Sequence, residues 1–480
     1  MQLAAAESEA RLSAEKLARI EHELAQLKRL VFGVKSERFE GAAAAGQASL
    51  FGGDVPAADV APHASETVTR KVPARKPVRQ ALPSHLPREV VVIEPEEDTA
   101  GLRKIGEEVT ETLDYRPAKL VVMRRVRPKY VDPKAEERGV VIADLPPRPL
   151  EKGMAEAALL AHVAIEKYAD HLPIYRQVQR FKRQGITIAE STLGGWIATT
   201  ADLLTPLYEA LKGEVVASGY IQADETPIPV QDQNKKGTTH RGYYWVYHAP
   251  APGLVVMDYQ QGRSRAGPAA WLDGYKGALQ SDGYRAYEHF DGLPGITGYG
   301  CWAHARRYFF EAKDNDAARA EYALREIKKL YAIERELAGS EPEARREARH
   351  ERAVPVLDVF RVWLEANRGL PKSPWGKAVN YALARWEKLT RYTKDGHIEI
   401  DNNLVENAIR PIALGRKNYL FAGSHDAARR AAVIYSLLAT CKKHDVNPQT
   451  WLADALARIP THPHKQVADL LPHHWKQRKG

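Results

Sequence analysis

Three acidic motifs follow one another along this chain: Tyr220-Ile-Gln-Ala-Asp-Glu-Thr-Pro227, Leu279-Gln-Ser-Asp-Gly-Tyr284 and Asp401-Asn-Asn-Leu-Val-Glu-Asn-Ala-Ile-Arg410. The first two fall at the ends of strand signals and the third opens a helical pattern. Carboxylates are the donors that hold Mg²⁺, and a pair of such ions stabilises the attacking and leaving oxygens of an in-line displacement at phosphorus. Asp224, Asp282 and Glu406 are therefore the candidate ligands of a two-metal, phosphodiester-cutting site.

Those side chains must be brought together by the elements around them. Strand signals run from Gly219 to Val230, His240 to His248 and Leu254 to Tyr259, followed by a helix from Pro268 to Gly274 and a strand from Gly277 to Ser281. A helix around Tyr284 to Phe290, a strand from Ile296 to Trp302 and a helix from Ala303 to Lys313 complete the series. Three strands, helix, strand, helix, strand, helix is the ribonuclease-H-like order. In it the first strand is central and the fourth lies beside it, so a carboxylate on each can face the same ions. Glu406 would come from a helix capped by Asp401 or Asn402 and stopped by Pro411. The Ala-, Glu-, Arg- and Leu-rich stretch before it reads as a helical insertion at about 314–395. Strand alternation turns Glu225 away from Asp224, which makes it structural.

Cationic and polar residues flank the acids. His304, Arg306 and Arg307 open the helix after the last core strand, where they are candidates to hold the scissile phosphate or DNA backbone, although His304 fits equally a hydrogen-bonded residue in a packed helix. Arg410, Arg416, Lys417 and Asn418 lie on and after the Glu406 helix and are candidates of the same kind. The Trp residues at 245, 271, 302, 375 and 386 are expected to pack cores rather than stack on bases.

With 480 residues, 44% hydrophobic, the chain is long enough for several domains, and its formal charge of +9 matters only where it is concentrated. One concentration holds Arg124, Arg125 and Arg127, the other Arg176, Arg180, Lys182 and Arg183, and both could neutralise phosphates. Double-stranded DNA is the partner expected. No apolar run approaches a membrane span, and the acidic, Ala-rich start lacks a signal-peptide layout, so a cytoplasmic location is expected with no membrane partner. Cys301 and Cys441 are too few for a disulfide framework or a zinc site and are expected to be inert thiols.

Leu17, Ile20, Leu24, Leu27 and Val31 form a heptad seam over 1–40 that predicts a coiled coil and a homodimer or higher oligomer; an amphipathic helix packed on its own chain is the alternative. Residues 41–88 are Ala-, Gly- and Pro-rich and read as a flexible linker. A small β-rich module is expected over 89–150, with strands near 90–93, 107–113 and 120–123. Over 151–210 helices are expected from Met154 to Leu172 and Pro173 to Gln184. A third, capped by Ser191 or Thr192 and running to Leu204, makes the region helix-turn-helix-like. The fold class is thus multidomain α+β, with a ribonuclease-H-like core over 211–425 and a helical C-terminal region over 426–480.

Taken together, Ala223-Asp-Glu-Thr-Pro227, Ser281-Asp-Gly-Tyr284, Cys301-Trp-Ala-His-Ala-Arg-Arg307, Glu399-Ile-Asp-Asn-Asn403 with Glu406, and Gly415-Arg-Lys-Asn-Tyr-Leu-Phe-Ala-Gly-Ser424 resemble the transposases of insertion sequence family sixty-six. The resemblance spans essentially the whole chain. It implies a DDE transposase with Asp224, Asp282 and Glu406 as its triad, using Mg²⁺ with Mn²⁺ as substitute, to cut transposon ends and then transfer the freed 3′ hydroxyl into target DNA. Accessory proteins of the same element are further partners it allows. A nuclease or resolvase without strand transfer, or an inactive DNA-binding scaffold, are the other readings. The family's zinc module has cysteine pairs ahead of Leu102-Arg-Lys-Ile-Gly106 and after Arg127-Pro-Lys-Tyr130. Here neither flank has a cysteine, so no zinc is expected.

Overall fold

The computed structural model describes residues 82–475 apart from 101, 117–118, 134–139, 152, 233–234 and 236. The coiled-coil expectation over 1–40 and most of the linker expectation over 41–88 lie outside the described residues.

The first sheet is built around a long hairpin. β2 (Arg103–Arg116) and β3 (Lys119–Val131) pair antiparallel from Arg103 opposite Val131 to Arg116 opposite Lys119, with β1 (Arg88–Val92) parallel to β3 and β4 (Val140–Ile142) antiparallel to it. These strands exceed the expected ones because charged residues alternate along the hairpin and pair across it, as Arg127 does with Glu108 at 2.8 Å. Leu113 and Val122, both fully buried, anchor the hairpin on the next helix, α1 (Ala157–Tyr168).

α2 (Ile174–Arg183) and a turn lead into α3 (Glu190–Ala217). This last helix corrects the sequence expectation twice. Ser191 and Thr192 lie inside it rather than capping it, and it continues through Pro206 well past Leu204. Pro206 removes only the donor to residue 202, which is exposed and can be solvated. With Leu193, Trp196, Leu204, Leu211 and Val215 all buried, α3 is a core helix along its length.

The second sheet has the order β7-β6-β5-β8-β9, formed by β5 (Tyr220–Gln231), β6 (Thr239–Ala249), β7 (Leu254–Gln260), β8 (Gly277–Gln280) and β9 (Ile296–Tyr299). β5, β6 and β7 are antiparallel neighbours, whereas β8 and β9 join parallel to β5. Short helices α4 (Ala266–Trp271) and α5 (Arg285–Glu288) make the connections, and α6 (Trp302–Glu311) follows β9. β5 is central, as its run of buried residues from Tyr220 to Ala223 requires.

After α6 the chain forms α7 (Ala317–Glu336), α8 (Pro342–Ala348), a π-helical turn at Arg349–Ala353, α9 (Val354–Ala366), α10 (Pro374–Ala384) and α11 (Trp386–Thr390). They enclose a second apolar cluster around Trp302, Phe309, Phe360, Trp375 and Trp386. All five tryptophans assigned to cores are buried, as are both cysteines. α12 (Asn403–Tyr419), α13 (His425–Lys443) and α14 (Pro448–Arg458) close the fold, with α13 packed on β7 and α3. Among the described residues no helix is long and apolar enough to cross a membrane.

Candidate active site

Asp224 and Asp282 are brought together by the pairing of β5 with β8 and by the turn that follows β8. β5 and β8 pair Tyr220 with Ala278, Ile221 with Leu279 and Gln222 with Gln280, so Asp224 lies two residues past the last pair on β5 and Asp282 two residues past it beyond the end of β8. The two carboxylates lie near one another beside the carboxyl end of β8, close enough that the charge of Asp282 acts on Asp224. Beyond β8 the chain turns at Gly283, whose φ of +84° is open to glycine and whose missing Cβ would meet Arg385 Nε at 2.3 Å. The turn is fixed by Tyr284 N donating to Asp282 Oδ1 at 2.8 Å and by Tyr381 Oη and Arg385 Nη2 donating to the carbonyls of Asp282 and Gly283.

Glu406 is brought to the same level by pinning α12 to β5 at both ends. At its start, Gln222 Nε2 donates to the Asp401 carbonyl at 2.9 Å. Past its end, Ala422 N donates to Pro229 O and Gln231 N to Ala422 O. A 17-residue helix rises about 25 Å, which matches the eight or so strand residues between those anchors. Glu406, one turn into the helix, thus comes level with Asp224, two residues beyond Gln222. Contrary to expectation the helix does not stop at Pro411. The donor lost there faces the carbonyl of Asn407, an exposed residue, and the helix ends instead at Leu420 with φ +62°.

A buried polar network makes that start rigid. Gln222 and Gln280 are both fully buried side chains of the paired strands. Gln280 Oε1 accepts from Tyr220 Oη (2.6 Å) and Gln222 Nε2 (3.0 Å), while its Nε2 donates to the carbonyls of Gly300 (2.9 Å) and Glu399 (2.8 Å). Two glutamines therefore bolt β5, β8, β9 and the segment before α12 together directly under the acids. Asp401 serves this framework too. Its carboxylate accepts from Asn403 N, Asn403 Nδ2 and Tyr331 Oη, which makes it the residue that caps the start of α12, while Asn402 makes no capping bond.

The electrostatics are those of a site with surplus negative charge. Asp224 is held well above the ordinary carboxylate range, first by burial and then by the charges of Glu225, Asp282 and Glu406. A hard divalent cation reverses each of these effects, so the donor set fits Mg²⁺ or Mn²⁺. The three carboxylates do not all approach within 4.8 Å of one another, leaving room between them. The buried Asn402 amide has no hydrogen-bond partner among the described residues. Glu225 lies close enough to raise Asp224, but its side chain is turned to Arg263, whose Nε donates at 2.7 Å and whose guanidinium covers the Tyr284 ring at 3.9 Å.

The remaining sequence candidates divide by position. His304 Nε2 lies 3.7 Å from Glu406 Oε1 and its Nδ1 contacts Cys301 Sγ, so it adjoins the acids. Arg306, Arg307, Arg410 and Lys417 are exposed on α6 and α12. Arg416 is directed at the Pro227 carbonyl, and Asn418 donates to Leu414 O. In the hairpin module Arg125 makes a two-pronged bond to Glu156 and Arg127 reaches Ala143 O, leaving Arg124 the more exposed of the three. On α2, Arg180 pairs with buried Glu166, whereas Arg176, Lys182 and Arg183 are exposed.

Sequence reasoning missed two cationic hollows. A cleft of about 600 Å³ is lined by Asp282, Arg285, Tyr308, Lys377, Tyr381 and Arg385, and a trough of about 410 Å³ by Arg306, Lys313, Arg325, Lys328 and Tyr331. The i, i+3 spacing of Arg325 and Lys328 on α7 was the available signal. A larger groove, about 800 Å³ between α3, β7, α4 and α13, contains none of the three acids.

Comparison with known proteins agrees with this layout. Residues 152–430 match the model described as the transposase IS66 family and residues 436–473 the IS66 C-terminal element. Residues 19–91 match a model described as transposase C of IS166 homeodomain, and residues 97–131 a zinc-finger binding domain of transposase IS66. Among similar chains of Sinorhizobium fredii, the uncharacterized protein y4jD is 36% identical over 482 residues, covering 95% of this chain and 94% of its own. The uncharacterized protein y4hP is 35% identical over 440 residues (85% and 79%), and y4qI, likewise uncharacterized, 36% over 427 (84% and 79%). The zinc-finger match meets a stretch with neither cysteine nor histidine between 97 and 131, so the residues present there do not fit a zinc ion. Hairpin pairing, the buried Leu113 and Val122, and the Glu156 carboxylate shared by Arg125 and Arg148 hold that module instead.

Proposed function

We propose, for a chain that belongs to the IS66 transposase family, that Asp224, Asp282 and Glu406 form the metal-binding centre of a ribonuclease-H-like core over 211–425, with 314–395 as its helical insertion. The reaction is cleavage of DNA at transposon ends and transfer of the freed 3′ hydroxyl into target DNA. The observation that carries the reading is that Asp224 on β5 and Asp282 just past the parallel strand β8 lie close enough for their charges to interact, beside an α12 anchored at both ends on β5.

The three carboxylates would hold two Mg²⁺ ions, with Mn²⁺ as substitute, supplying charge stabilisation for the attacking and leaving oxygens. The chain's own residues orient and enclose. His304 steadies Glu406, and the Glu225–Arg263–Tyr284 contact keeps the Asp282 turn closed. Arg285 and Lys377 in the cleft, Arg306, Arg325 and Lys328 in the trough and Arg307 exposed on α6 offer charges to DNA phosphates. Arg124, Arg176, Lys182 and Arg183 are exposed enough to extend that contact, and Arg410 and Lys417 flank the Glu406 helix. The N-terminal heptad segment supplies a homodimer or higher oligomer, and the protein acts in the cytoplasm.

The test is an end-bearing duplex, supplied whole or already cut, with Mg²⁺ and a target plasmid. Joined product from the pre-cut duplex, lost in Asp224→Asn while duplex binding is kept, is the expected result. Cleavage without joining identifies a nuclease or resolvase, and binding with neither identifies a scaffold.

A further inference from the structure

The C-terminal segment brings a group of imidazoles onto the end of α3. Glu214 lies in the last turn of α3, His444 ends α13, and His473 and His474 follow the turn at His464–Leu470. Glu214 Oε2 is 2.6 Å from His473 Nε2 and 3.9 Å from His474 Nε2. Among the described residues, these three form the one group of His, Cys, Asp or Glu whose ligand atoms all lie within 4.8 Å of each other. The His473 ring contacts that of His474 at 4.1 Å and lies 5.4 Å from that of His444. Its side chain is only 9% exposed, and its Nδ1 has no hydrogen-bond partner.

We propose that Glu214, His473 and His474 bind a divalent transition-metal ion of the Zn²⁺ class, with His444 or water as the fourth donor. Tetrahedral coordination at about 2.0–2.1 Å sets neighbouring donors about 3.4 Å apart. The observed 2.6 and 3.9 Å straddle that spacing, so small side-chain rotations bring these three donors to it, while His444 Nε2 now contacts Pro252 O. The backbone is already held: Leu470 and Leu471 are fully buried, Trp451 Nε1 donates to Leu470 O, and Trp475 Nε1 donates to Asp454 Oδ2. Neutral imidazoles in contact beside one carboxylate can donate to a single cation together. Nitrogen donors select Zn²⁺, Co²⁺ or Ni²⁺ over Mg²⁺. The absence of zinc expected from the sequence is kept for residues 97–131 and given up here. The ion would pin the C-terminal segment to α3.

The experiment titrates the full-length, chelator-stripped protein with Co²⁺ and Zn²⁺ under saturating Mg²⁺, which occupies the carboxylate centre. One equivalent of tetrahedral Co²⁺ absorption, a raised thermal midpoint with Zn²⁺, and affinity weakened at least about tenfold in His474→Ala and Glu214→Gln are expected. Asp224→Asn should leave binding unchanged, as should His462→Ala with His464→Ala. His474 is exposed, so its variant folds even if His473→Ala does not. Undiminished binding in His474→Ala, an octahedral spectrum, or loss in the Asp224 or His462/His464 variants overturns the proposal. The readouts are independent of DNA chemistry, so they stand whether or not the transposase reading does.

Discussion

Gln280→Met replaces the amide at the centre of the network beneath the acids with an apolar chain of similar length. The Gly300 and Glu399 carbonyls lose their donor and the Tyr220 hydroxyl its acceptor, whereas Gln222 Nε2 keeps Tyr220 Oη and the Asp401 carbonyl. Three buried groups left unpaired, at about 1 kcal/mol each at the low end appropriate to carbonyls and a rotatable hydroxyl, give a destabilisation of about 3 kcal/mol. The same change frees the segment before α12 from β8, and a 1 Å displacement of Glu406 is sufficient for about a 100-fold loss of rate. Urea unfolding without metal measures the first effect, and single-turnover cleavage of an end duplex at saturating Mg²⁺ the second, with duplex affinity unchanged. A variant that unfolds within about 0.5 kcal/mol of the parent and cleaves at the parent rate would refute the idea that this network positions the third acid.

Asp224→Asn is expected to stabilise the metal-free protein at neutral pH. Because burial and the neighbouring carboxylates raise the folded value above the unfolded one, the parent is penalised progressively as pH rises from about 4, the unfolded range, through that folded value. The gap should close toward pH 4, and Mg²⁺ should raise the midpoint of the parent but not the variant; a less stable metal-free variant at pH 7 contradicts this. Replacing Arg306 and Arg307 with Ala should reduce the slope of log affinity against log salt by about 1.8 if each meets one phosphate, with folding unaffected because both are exposed. An unchanged slope removes them from the DNA path.

What the sequence disclosed and what it hid follow from the range over which each feature is determined. Strand order was legible because apolar and β-branched runs such as Tyr220–Val230 and Leu254–Tyr259 are local signals. The role of Gln222 and Gln280 was not, since a buried glutamine in a strand looks like an outward polar residue until its partners, Gly300, Glu399 and Asp401, arrive from distant segments. Pro411 was read as a stop because proline removes a donor, but it faces an exposed residue four positions back, where water takes the donor's place, as it does at Pro206 within α3. Arg125, Arg127 and Arg180 were counted toward DNA by local density of charge, a measure that cannot see Glu156, Ala143 or Glu166 folding back onto them.

The construction of the acidic site divides its parts by stiffness. Asp224 is fixed by main-chain pairing in the middle of a five-stranded sheet, and Asp282 by the turn that directly follows its neighbour β8 and is held by Tyr381 and Arg385. Glu406 rides on a helix attached to that sheet through side-chain amides at one end and a short strand-like contact at the other. Any adjustment of the centre to substrate must therefore run through α12, and the groups that meet its first turn decide how far. Those groups are Tyr331 of α7 through Asp401, and His304 and Cys301 at the start of α6, both of which pack into the helical cluster between α6 and α12. The helices between Asp282 and Glu406 thus set where Glu406 sits, which on the proposed reading gives them a part in the chemistry as well as in any contact with DNA.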